Sequence, residues 1–194
     1  MSPLAAPALL LARPFSGYAA LARAHAAGDD DAPTALGGAL RLLVVLGAVV
    51  SLTATGRLAP IEATIAAGSF AYVPIVQALA LAFALRVIAP KVPFARALAL
   101  HFAGSGPWLL ALLGVAAVAL LAPRPAPALF TAIPILAVIA WAWGNVLTYA
   151  LFRGALGLSR ARSAAGVALH LVGINLIVPA YFLAFGQLAP LFLR

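Results

Sequence analysis

The chain has no cysteine and very few acids: its 194 residues hold four Asp or Glu against twelve Lys or Arg. Without cysteine there are no disulfides, no thiol catalysis and no thiolate metal sites. The acids are Asp29, Asp30, Asp31 and Glu62. None lies inside a long apolar run, so a carboxylate proton relay within a bilayer is missing, and an ion-coupled carrier usually needs one. Three consecutive acids point apart on a helix and no other acid is near, so Asp29 to Asp31 do not read as a metal site. No His-Glu-x-x-His helix, Gly-x-Ser-x-Gly elbow or phosphate loop occurs. His25 and His101 fall in predicted interfacial segments, too dispersed to form a metal set. The expectation is a chain that is not an enzyme and carries no cofactor.

What is present is apolar. Hydrophobic residues make up 65% of the chain and charged residues 8%, with a mean hydropathy of +1.13. A soluble domain is ~25% charged, so the solvent for most of this surface must be lipid. A span needs ~20 apolar residues. The runs give an all-α polytopic integral membrane bundle of five transmembrane helices, at about 36–55, 66–88, 102–121, 128–152 and 163–188. Residues 1–34 form an N-terminal cytoplasmic or interfacial segment and residues 35–194 the membrane domain. Ala5 to Ala12 is apolar but lacks a basic leader and is flanked by prolines, so it does not read as a signal peptide. Ser16 to Ala27 reads as a short interfacial helix. Asp30, Asp31 or Thr34 caps the first span, where Gly47 and Ser51 form a small-xxx-small pair suited to close helix contact. Pro74 is expected to kink the second span and free a carbonyl near Phe70, and Pro179 to break the fifth. Gly104-Ser-Gly-Pro-Trp108 opens the third span, with Trp108 at an interfacial depth.

The net charge of +8 comes from basic residues spread singly between apolar runs, which argues against nucleic acid and for charges flanking spans. With five spans, one side receives Arg13, Arg23, Arg41, Arg86, Lys91, Arg96, Arg153, Arg160 and Arg162. The other receives Arg57, Arg124 and Arg194. The positive-inside rule makes the richer side cytoplasmic, so the N-terminus is inside and the C-terminus outside. Heavy use of Ala, Leu, Arg and Gly fits a GC-rich bacterial genome, hence a bacterial cytoplasmic (inner) membrane. The basic links set topology. They also offer a surface, Lys91, Arg96, Arg153, Arg160 and Arg162, for anionic lipid or a protein partner. In that reading Val92 to His101 lies as a short helix along the interface.

Polar residues inside spans are few. Asn145 precedes Arg153 by eight residues and His170 follows Arg162 by eight, so both sit ~12 Å from the same membrane face. They read as an intramembrane polar pair, either a site between the fourth and fifth spans or an interhelical hydrogen bond worth ~0.6 kcal/mol. Asn175 and Gln187 read as packing polar groups or a cavity wall. Trp141 and Trp143, two apart, face different sides and read as lipid-facing or packing residues.

Three stretches carry a family resemblance: the basic link Arg86-Val-Ile-Ala-Pro-Lys-Val-Pro-Phe-Ala-Arg96, the Gly/Pro opening Ala103-Gly-Ser-Gly-Pro-Trp-Leu-Leu110, and a fourth span with Trp141 leading to Gly154-Ala-Leu-Gly-Leu-Ser-Arg-Ala-Arg-Ser-Ala-Ala165. With Arg13-Pro-Phe-Ser-Gly-Tyr18 before the first span, the chain resembles the bacterial members of the YIP (Ypt-interacting protein) family over residues 13–188. The resemblance implies five spans, a cytoplasmic N-terminus and a non-enzymatic scaffold or adaptor role; eukaryotic relatives are linked to Rab-type GTPases and vesicle trafficking. Two alternatives stand beside it. One is an accessory subunit of a larger membrane complex, with other membrane proteins or its own copies as partners in the lipid bilayer. The other is a small channel or transporter protomer, with Pro74, Pro179, Asn145, His170 and Asn175 along a path.

Overall fold

The structure is a computed structural model that describes residues 5–28, 34–122 and 125–192. Asp29 to Asp31, Arg124 and Arg194 lie outside them, as do the side chains of residues 181–192, Gln187 included. The described chain is helical, and five helical stretches are long and apolar enough to cross a membrane: Ala35–Thr55, Pro60–Ile88, Phe94–Leu121, Ala126–Ala155 and Arg160–Ala180. Large apolar residues such as Leu79, Phe83, Leu113, Phe130 and Ile139 face outward. In water such a surface is a liability; in lipid it is the solvated face.

Two helices precede the spans: α1 (Ala5–Ala12) and α2 (Pro14–Ala26). The first span is α3 (Ala35–Thr55), capped by the Thr34 hydroxyl, which accepts from the Gly37 N–H at 3.1 Å. Gly56, with φ 71°, ends it in the left-handed conformation. The second span is two helices, α4 (Pro60–Ser69) and α5 (Tyr72–Ile88). The break falls where Pro74 cannot bond back to Phe70; the Phe70 carbonyl accepts instead from the Val73 N–H at 2.9 Å.

The third span begins earlier than the apolar run suggests. It comprises α6 (Phe94–Ala103) and α7 (Gly106–Leu121), so Gly104-Ser105 is a break inside the span and not its opening. Nor does α6 lie along the interface. Its Ala97, Ala99, Leu100 and Phe102 are buried, and it packs against α3, α2 and α5. The link between the second and third spans shrinks to Ala89–Pro93. The fourth span, α8 (Pro125–Ala150), runs into a π-helical turn at Leu151–Ala155. The fifth, α9 (Arg160–Phe192), stays helical through Pro179, where a break was expected.

Small residues set the packing. A Cβ at Gly47 would press on the Ala63 carbonyl and lie 2.9 Å from the Ala67 methyl, so α3 and α4 touch backbone to backbone. Ser51, one turn on, accepts from the Ala59 N–H (3.0 Å) and donates to the Ala59 carbonyl (3.2 Å). Gly173 of α9 lies against Ala80 of α5, and Gly166 against Ile88. The spans close into a ring: α4 on α3, α3 on α6 and α7, α7 on α8, α8 on α9, and α9 on α5. At one end α1 and α2 fold under the ring. Leu10, Tyr18, Leu21, Leu100, Leu147, Leu151 and Phe152 form a buried core there.

Candidate functional site

Inside the ring, above that core, lies a cavity of about 450 Å³, within the ~300–1,000 Å³ range of pockets that hold small molecules. All five spans line it, and α2 contributes Tyr18. Tyr18 is 1% exposed, with its hydroxyl against Gly104, and stands at the closed end. Burial pushes its phenol above the usual range, so it stays neutral. Exposed Asn175 stands at the other end.

Asn145 and His170 both line this cavity, yet neither bonds to the other. Asn145 Nδ2 donates to the Trp141 carbonyl one turn back (2.8 Å), and Asn175 Nδ2 does the same to Leu171 (2.8 Å). His170 is joined on the wall by Gln77 of α5. The His170 Nε2 is buried without a partner.

The residue brought to His170 is His101. The two rings meet edge to face, with centroids 5.2 Å apart and planes 67° apart. The expected interfacial placement of His101 fails because α6 is part of a span. Trp108 is likewise a cavity residue and not an interfacial one; Trp141 borders the cavity while remaining exposed, and Trp143 does not line it. Ser105 lies in the α6–α7 break, 8% exposed, and its Oγ has no partner. His170 is 5% exposed. An unpartnered buried polar atom costs ~1–3 kcal/mol, so two of them at one cavity mark it as more than a packing defect. Reading α6 and α7 as one span from Phe94 would have put His101 and Ser105 at this depth.

Among the described residues no charged side chain lines the cavity, and no group of three or more His, Asp or Glu converges. The wall offers imidazole, amide, hydroxyl and indole groups. It can hydrogen-bond and enclose a neutral guest; it has no acid to accept protons from one.

The basic residues divide. Arg96 is half-buried and donates to the Ala22 carbonyl of α2 (3.1 Å). Arg153 donates to the Leu158 carbonyl (2.8 Å) and closes its own link. Lys91, Arg160 and Arg162 are exposed. The contact of Gly166 with Ile88 puts their two links at the same end of the bundle.

A search of family models, curated proteins and solved structures finds no match to the chain.

Proposed function

We propose that the protein admits a small solute into the centre of its five-span bundle, as a channel or carrier protomer. The observation that carries this reading is the cavity, enclosed by all five spans and bordered by two buried polar atoms without partners, His170 Nε2 and Ser105 Oγ. A bundle that served only as a scaffold has no use for those atoms, and burying them costs stability. The reading is non-enzymatic. The bacterial inner membrane is its setting on composition, with the basic end cytoplasmic by the charge rule.

The scaffold role implied by the YIP resemblance is the second reading. What favours it is the exposed set Lys91, Arg160 and Arg162, gathered at one end by the α5–α9 contact. Those charges suit anionic headgroups or an acidic partner.

A natural absence of cysteine makes the test direct. Val178, on the cavity wall, and Leu113, on the apolar outer face, are each replaced by Cys in proteoliposomes. A membrane-impermeant thiol reagent should modify Val178→Cys and spare Leu113→Cys. Equal protection of both would mean that the cavity does not communicate with water, and the solute reading would fall.

A further inference from the structure

We infer that the solute is an uncharged molecule bearing several hydroxyl groups, a polyol; the inference rests on the solute-admitting reading above and names its chemistry. It comes from what the wall has left after its own hydrogen bonds are made. Thr148 Oγ1 donates its one hydrogen to the Gly144 carbonyl (2.9 Å). With its hydrogen spent on a carbonyl, that oxygen is left as an acceptor. His170 keeps a buried Nε2 without a partner. Asn145 and Asn175 each spend one N–H on their own helix and keep a second N–H and a carbonyl oxygen. Ser105 keeps its whole hydroxyl. The wall therefore presents both donors and acceptors. A hydroxyl group both donates and accepts, so a polyol answers both demands.

Charge decides against the competing guests. A cation would suit the acceptors, but among the described residues no carboxylate lines the cavity to neutralise it. An unpaired ion in a low-dielectric interior is not repaid by hydrogen bonds alone. Among the described residues the charged groups near the Tyr18 end, Arg96, Arg153 and Lys91 among them, are basic. An anion would meet the lone pair of Thr148, and Arg96 and Arg153 are engaged with the Ala22 and Leu158 carbonyls. Trp108 and Trp141 supply flat apolar surface for the C–H faces that a polyol also carries.

Three probes of similar size vary the charge: glucose, gluconate and glucosamine, compared at about pH 6 so that the amine is protonated. Each is added to Val178→Cys protein in proteoliposomes while the rate of thiol modification is followed. Glucose should slow modification about tenfold at ten times its dissociation constant, since the rate follows the unoccupied fraction, and the two charged analogues should not. Thr148→Val should abolish the protection and Thr148→Ser restore it, which separates loss of an acceptor from misfolding. Protection by gluconate or glucosamine equal to that by glucose would overturn the inference. So would a cysteine that reacts freely and is protected by none of the three, and the solute reading would then survive. A cysteine that never reacts would overturn both.

Discussion

His101 and His170 come from different spans and meet edge to face at the heart of the bundle, 5.2 Å between ring centroids. The contact joins α6 to α9 across the cavity. About one turn after His170, Gly173 of α9 packs against Ala80 of α5, so three spans converge there. The imidazole pair is therefore a junction of the ring of helices as well as a piece of cavity wall.

Its structural worth should nonetheless be small. His170→Phe keeps an aromatic ring against His101 and removes an unpartnered buried nitrogen, while fitting a slightly larger ring into the wall. These effects oppose one another. The unfolding free energy in nanodiscs should change by less than about 1 kcal/mol. A loss of several kcal/mol would make the histidine a packing element first and a wall residue second.

The five spans and their order were legible because ~20-residue apolar runs have no other use in a chain this poor in charge. Asn145 and His170, paired in sequence by their distance from the basic links, both line one cavity. Partners were not legible. An asparagine inside a span can satisfy itself on the carbonyl four residues back, as Asn145 and Asn175 do, and periodicity says nothing of that choice. The Arg86 to His101 stretch was the hardest to read. Its basic residues suggest one long cytoplasmic link, but Arg96 hydrogen-bonds to Ala22, far away in sequence. With that charge accommodated, helix α6 can start at Phe94 and carry His101 inward. A charge held by a distant carbonyl looks, in sequence, like any other flanking charge.

Helix contact through Gly47 yields a paired prediction. Any side chain there meets the Ala63 carbonyl, and backbone cannot swing aside as a flexible side chain would. Gly47→Val should destabilise by ~1–3 kcal/mol, the usual cost of overpacking. Gly68, exposed on α4, has nothing within 4 Å of an added Cβ. Gly68→Ala should be neutral or stabilising by up to ~1 kcal/mol through helix propensity. Unfolding of both variants in the same nanodiscs checks the contrast; equal effects would refute the α3–α4 backbone contact.

Tyr18 predicts an alkaline sensitivity. Burial raises its folded pKa above the ordinary value near 10. In the unfolded chain the phenol ionises first, so the stability it contributes is complete below pH ~10 and is lost as pH rises toward the folded value. Above pH 10, α2 should loosen from the bundle and the wild-type protein should lose thermal stability faster than Tyr18→Phe. Parallel pH profiles of the two would show that Tyr18 is not the responsible group.

The basic end should show a division of labour. Lys91, Arg160 and Arg162 are exposed, whereas Arg96 is engaged with α2. Reversing the first three to Glu should reduce enrichment of anionic lipid around the protein in mixed nanodiscs, most clearly at low salt. Arg96→Leu should leave lipid enrichment alone and speed hydrogen exchange in α2 roughly 10–100-fold, the equivalent of a charged hydrogen bond of ~1.5–3 kcal/mol. If Arg96→Leu depletes anionic lipid as strongly as the triple reversal, the division is wrong.

Orientation can be decided on two exposed positions. Arg57 follows the first span, and Lys91 lies between the second and third. Consecutive spans put these links on opposite faces, and by the positive-inside rule the more basic Lys91 side is expected to be the cytoplasmic one. Because the chain has no cysteine, Arg57→Cys and Lys91→Cys can each be labelled in whole cells with an impermeant reagent. Arg57→Cys should react in intact cells and Lys91→Cys only after the membrane is opened. The reverse pattern would invert the bundle and expose the basic end outside. Reaction of both in intact cells would mean that Pro60–Ile88 does not cross, although the Gly173–Ala80 and Gly166–Ile88 contacts hold its second half along the fifth span.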